Sequence, residues 1–107
     1  MGERLEKVNA TLLSILGTTL RGSWTIPEAL ATVTTVRVAP DLRTAVVWVS
    51  LLPHDTGLWP EVVSKLPELQ RAAAHRLQTK HTPKLSLKQD TGGVHAQHID
   101  RLLRESR

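Results

Sequence analysis

ATVTTVRVAPDLRTAVVWVSLL, residues 31–52, is the stretch on which the fold turns. β-Branched side chains dominate both halves, and such side chains suit a pleated, half-buried surface. Pro40-Asp41 interrupts them with turn chemistry, because proline presets φ and an aspartate carboxylate can bond the nearby backbone. Two strands, over about 31–39 and 43–52, therefore join as an antiparallel hairpin. In the second strand Ala45, Val47, Val49 and Leu51 share one face, and Thr44, Val46, Trp48 and Ser50 share the other. The first set is the candidate core face, and Trp48 falls on the opposite side.

On the N-terminal side, Leu5, Val8, Leu12 and Ile15/Leu16 recur at helical spacing, which predicts an amphipathic helix over 3–16. Gly17 is the expected stop. Residues 17–30 then form a connection carrying Gly22, Trp24 and Pro27, with Trp24 as an apolar lid on the core. On the C-terminal side, residues 53–83 are helical but punctuated. Pro60 suits a first helical turn. Pro67 follows too soon for one continuous helix and must kink or restart it. Beyond it Leu69, Ala73 and Leu77 form an inner stripe, Arg71, His75 and Gln78 point away, and Arg76 flanks the core. KLSLKQD, residues 84–90, alternates Leu85 and Leu87 against Lys84, Ser86 and Lys88, which predicts a third strand ended by TGG at 91–93. A last short helix over 94–104 would bury Ile99, Leu102 and Leu103. The order gives an α+β fold with helices on one face of a three-stranded sheet.

A chain of 107 residues is expected to form one domain, 1–107, burying roughly 65% of the surface its unfolded form exposes. Three Trp with no Phe or Tyr means an aliphatic core and few aromatic platforms for stacking bases. With no cysteine, disulfides, thiolate nucleophiles and Cys-based zinc sites are excluded. MGERLEKVNATLL at the N-terminus has charges throughout and no apolar stretch of a secretory signal. No apolar run nears the ~20 residues of a membrane span. A cytoplasmic monomer with no membrane association is the expectation.

Chemistry is harder to place. No serine sits in a G-x-S-x-G context, no glycine-rich phosphate loop is present, and the carboxylates scatter. An enzyme is not expected, nor is a cofactor. His95 and His98, with His75 and His81 as possible neighbours, lack an acid at ligand spacing, so no metal site is expected.

Charge supplies the positive signal. Residues 1–70 hold six Lys/Arg against seven Asp/Glu, whereas residues 71–107 hold eight against three. Such one-sidedness points to a polyanion. Arg71, His75, Arg76, Lys80, Lys84 and Lys88 fall within eighteen residues, with Arg37 and Arg43 near the hairpin as weaker candidates. Complementing a helix dipole explains Lys80 alone. Phosphate contact explains the set. A different class of function, a protein-interaction module, would use the open sheet face around Val46 and Trp48.

The hairpin resembles that of the ribosome-binding factor A family, whose V-x-V-x-x-D-L-x-x-A-x-V-x-V pattern falls here on Val36, Val38, Asp41, Leu42, Ala45, Val47 and Val49. HTPKLSLKQDTGGVHAQHIDRLL, residues 81–103, is similar to that family's closing strand and final helix. The resemblance implies a type II KH-like fold. It also implies binding to the small (30S) ribosomal subunit and its 16S rRNA during late maturation and rRNA processing, often with a role in the cold. A general RNA-binding KH-like domain is the less specific alternative. Where type II KH domains carry a Gly-x-x-Gly loop, the family has a helix–kink–helix with Ala-x-Gly. Aligned from Pro83, that kink falls on Lys65, Leu66 and Pro67, so a proline stands for the glycine. Ile26-Pro27-Glu28 replaces the family's frequent Asp-Pro-Arg, reversing one charge, and the chain ends at Arg107 without the charged tail many members bear.

Overall fold

The computed structural model describes residues 2–53 and 57–91. Helix α1 (Gly2–Ser23) is followed by strands β1 (Leu30–Val38) and β2 (Thr44–Leu52), helices α2 (Trp59–Val63) and α3 (Leu66–Arg76), and strand β3 (Lys84–Asp90). The sheet order is β1-β2-β3, with β1 antiparallel and β3 parallel to β2. The final helix expected over 94–104, with His95 and His98, lies outside the described residues.

Each strand buries alternate residues. Ala45, Val47, Val49 and Leu51 of β2 point inward beside Leu85 of β3. In β1 the inward residues are Ala31 and Val33, then Val36 and Val38. That change of parity needs one extra residue, and the register does slip between Val33 and Thr35. A bulge at Thr34 thus keeps both halves of β1 on the core side. It also sends Arg37, opposite Val46, to the outer face. The hairpin closes through a Leu42 N–H bond to the Ala39 carbonyl (2.8 Å) and an Arg43 N–H bond to Asp41 Oδ1 (3.0 Å). Leu42 takes the left-handed region at φ 62°, unusual for leucine, with its side chain packed on the core.

Leu12, Leu16 and Leu20 of α1 are fully buried at i, i+4, i+8, and Leu69 and Ala73 of α3 with the capping Leu77 repeat that spacing. Burying each leucine is worth ~2 kcal/mol or more. Ala73 is small enough for α3 to sit close to the sheet, as its stripe predicts. Both helices lie on the inner face. A helical amide also satisfies each edge strand: Val38 N–H donates to Asn9 Oδ1 (2.7 Å), and Leu85 N–H to Gln70 Oε1 (3.0 Å). Unpaired strand edges invite foreign strands, and these amides occupy one donor on each.

One local expectation changes. Helix α1 does not stop at Gly17 but runs on to Ser23, because Leu20 extends the buried stripe by one turn. Interior glycine costs ~1 kcal/mol relative to alanine, less than that leucine's burial returns. The connection therefore begins only at Trp24. Its indole N–H lies 2.9 Å from the Ala29 carbonyl and 3.1 Å from that of Ile26, fixing the half-buried ring against the core as a lid. Pro67 restarts the helix, one of the two outcomes expected of it, and occupies the first turn of the second one. Its missing N–H would have faced the Val63 carbonyl, so α2 ends there and Ser64-Lys65 bridge to α3.

A Cβ built on Gly17 meets no atom within 4 Å. Gly17→Ala is therefore expected to raise stability by ~0.5–1 kcal/mol, read as a higher urea midpoint. A lower midpoint would mean that the helix ends at Gly17 after all.

Candidate nucleic-acid interface

Helix α3 sets the geometry of the basic residues. Its inner stripe is buried, so Arg71 and His75 stand exposed on the opposite side. At the C-cap, Leu77 turns to φ −84°, ψ 119°, burying its side chain and pulling the chain out of the helix. Lys80 and His81 follow as exposed connector residues, with Thr79 Oγ1 donating to the His81 carbonyl at 2.8 Å. Buried Pro83 then leads into β3. Gln70 clamps this return, because its Nε2 donates to the Pro83 carbonyl (2.8 Å) while its Oε1 accepts from Leu85.

Between the start of α1 and the end of α3 runs a cleft of about 400 Å³. Arg4, Lys7 and Thr11 line one wall, and Arg76, Gln78 and Thr79 line the other. Three cations and several hydrogen-bonding groups converge there, and among the described residues no carboxylate lines it. Such a cleft suits the oxygens of a phosphodiester backbone.

The eight basic residues singled out from the sequence do not form one path. Arg71 and His75 lie on the outside of α3, Arg76 turns into the cleft, and Lys80 lies on the connector beyond. Lys84 and Lys88 alternate away from buried Leu85, so they project from the other side of the sheet, where Arg37 also stands. Arg43 sits at the turn beside them, its carbonyl accepting from Lys84 N–H at 2.9 Å. Residues that lie close in sequence thus divide between two basic surfaces on opposite sides of the sheet. Strand alternation is the cause: Lys84 and Lys88 share a face only because Leu85 claims the other.

Arg4 and Lys7 were missed. They belong to the half of the chain whose charges balance, and a sum along sequence hides them. The usable signal was spacing: Arg4, Lys7 and Thr11 recur at i, i+3, i+7 and share one helix face. Among the described residues, no group of three or more His, Cys, Asp or Glu is placed to hold a metal ion. No helix among them is long and apolar enough to cross a membrane. Glu28, in the departure at 26–28, is exposed.

A family model described as ribosome-binding factor A matches residues 4–103. The chain belongs to that family. The match begins at Arg4, on one wall of the cleft, and takes in the α2–α3 break and all three strands. Ribosome-binding factor A of Akkermansia muciniphila is 29% identical over 109 residues, covering 98% of this chain and 86% of that one. The crystal structure of ribosome-binding factor A from Thermus thermophilus superposes with a TM-score of 0.68 at 22% identity, over 79% of this chain and 93% of that one. A homology model of the Thermus thermophilus factor, fitted into a cryo-EM map of its complex with the 30S subunit, gives 0.64 at 23% identity, over 75% and 88%. These likenesses establish the fold: a three-stranded α+β sheet of the kind expected from the hairpin.

The Gln70 clamp fixes where the connector leaves α3. Gln70→Ala leaves a strand N–H and a carbonyl without their partner, which costs ~1–3 kcal/mol. The expected result is a lower urea midpoint with an unchanged slope. Unaltered stability would show that the clamp holds nothing.

Proposed function

We propose that the protein is a non-enzymatic, cytoplasmic assembly factor that binds the small ribosomal subunit and its 16S rRNA and assists late maturation and rRNA processing. Membership of the ribosome-binding factor A family over residues 4–103 carries this reading. The 30S complex into which the Thermus thermophilus relative was fitted supports it. So does the chemistry of the cleft, where Arg4, Lys7 and Arg76 converge with no carboxylate among the described lining residues.

In this reading the cleft cations and the exposed Arg71, His75 and Lys80 hold phosphates. Such contacts set position and orientation without reading sequence. Specificity then comes from the fit between the basic surface and the folded shape of the RNA. The reading calls for binding alone and gives no role to a cofactor. A rival reading, a protein-docking module on the open sheet around Val46 and Trp48, predicts apolar contact and little response to salt.

The test is co-sedimentation with isolated small subunits, large subunits and assembled ribosomes at low and moderate salt. Selective association with the small subunit is expected, with affinity falling by about 0.7 to 0.9 log units per phosphate contact for each log unit of salt. Arg4→Glu with Lys7→Glu and Arg76→Glu is expected to weaken binding at least ~10-fold while preserving the fold, because all three side chains are exposed. Equal association with every particle, or salt-independent association, would overturn the reading.

A further inference from the structure

The outer face of the sheet carries groups that the cleft does not use. In the paired register Thr35, Trp48 and Lys88 form one row, Arg37, Val46 and Ser86 the next, and Thr44 and Lys84 the row after that. Arg37, Lys84 and Lys88 are exposed, and Trp48 and Val46 are half-buried. Both α1 and α3 pack on the other face, through the inward Val, Ala and Leu residues. Strand spacing and rise place the three cations about 12–13 Å apart, with Val46 and Trp48 on the middle strand between them. Across all three strands there is one carboxylate, Asp90, at the far end of β3. Thr34 Oγ1 donates to its Oδ2 at 2.7 Å.

We propose that this face is a second RNA-binding surface, with Trp48 stacking on an unpaired base while Arg37, Lys84 and Lys88 hold the adjoining phosphates. The inference rests on the assembly-factor reading for its ligand and extends it to a surface opposite the cleft. Charge decides the class of occupant. Three cations against a single carboxylate over the three strands favour a polyanion. A flat indole among cations is the arrangement that takes single-stranded nucleic acid, because every base offers a π-face and every linkage a negative charge. Duplex RNA buries its bases in the stack and offers the ring nothing. The two surfaces therefore differ in what they select: the cleft takes backbone, and the sheet takes unpaired nucleotides.

The probe is an unstructured ten-uridine oligoribonucleotide, compared with an RNA duplex of similar length. In ¹⁵N-labelled protein, three indole N–H signals report Trp24, Trp48 and Trp59 separately. The oligonucleotide is expected to shift the Trp48 indole and the Lys84 and Lys88 amides, leaving Trp24 in place. Trp48→Ala should lower affinity for it about 5-fold or more, and Trp48→Phe should retain it. Lys84→Ser with Lys88→Ser, both exposed and outside the core, should lower affinity and flatten the salt slope by about 1.4.

Equal binding by Trp48→Ala and Trp48→Phe would overturn the proposal. So would shifts confined to Thr11, Gln78 and Thr79 in the cleft. Shifts on the sheet that grow with protein concentration alone would assign the face to a second copy instead. The two readings fail separately. Small-subunit association unchanged in Trp48→Ala, with a silent oligonucleotide titration, removes only the sheet surface. Oligonucleotide shifts at Trp48 without any small-subunit association remove only the assembly-factor reading.

Discussion

One extra residue in β1 governs how the molecule presents itself. Without the bulge at Thr34, strict alternation from Ala31 and Val33 would aim Thr35 and Arg37 at the core and Val36 and Val38 at solvent. With it, four aliphatic side chains face α1 and a guanidinium faces outward. The interruption loses one regular ladder pair, and Thr34 recovers part of that by placing its hydroxyl between strands, within reach of Asp90 and the Trp48 carbonyl. A single inserted residue thereby couples the burial of the hairpin to the charge of the opposite surface.

Much of this architecture is written in local pattern. The hairpin was legible because β-branched runs flank Pro40-Asp41, and β3 was legible from Leu85 and Leu87 alone. The α2–α3 break was legible because proline lacks the donor a helix needs. The end of α1 was not. Gly17 is local punctuation, whereas the decision to continue belongs to Leu20, fully buried only once the sheet exists to receive it. Propensity acts within a few residues, and tertiary burial outweighs it wherever an apolar stripe carries on past a weak helix former.

The basic residues were legible in composition, but their arrangement in space was not. A charge sum correctly marked the C-terminal third as basic, yet charge adjacent in sequence is not charge adjacent in space. Period-two alternation splits Lys84 and Lys88 from Arg71 and His75, and helix packing brings Arg4 and Lys7 to Arg76 from the far end of the chain. Trp48 shows the same limit. The lack of Phe and Tyr argues against stacking platforms in general, whereas only the register places Trp48 in the strand between Arg37 and the pair Lys84 and Lys88.

The bend between α2 and α3 explains why cations, rather than backbone, should dominate any phosphate contact. A helix start binds phosphate when free N–H groups and the positive end of the dipole face the anion. Here the second position of α3 is Pro67, which has no N–H, and the third is Glu68, whose carboxylate already answers the dipole and repels a phosphate. The Leu69 N–H is committed to the Lys65 carbonyl at 3.0 Å. A bend of this composition offers an anion few free amides, unlike a glycine turn that can fold its amides around an oxygen. The basic residues of α3 instead gather at its opposite end, where His75 and Arg76 offset the partial negative charge of the last carbonyls and Arg76 reaches into the cleft. Proline and glutamate at the start of α3 and cations at its end thus leave the helix's positive side-chain charge at the end opposite the bend.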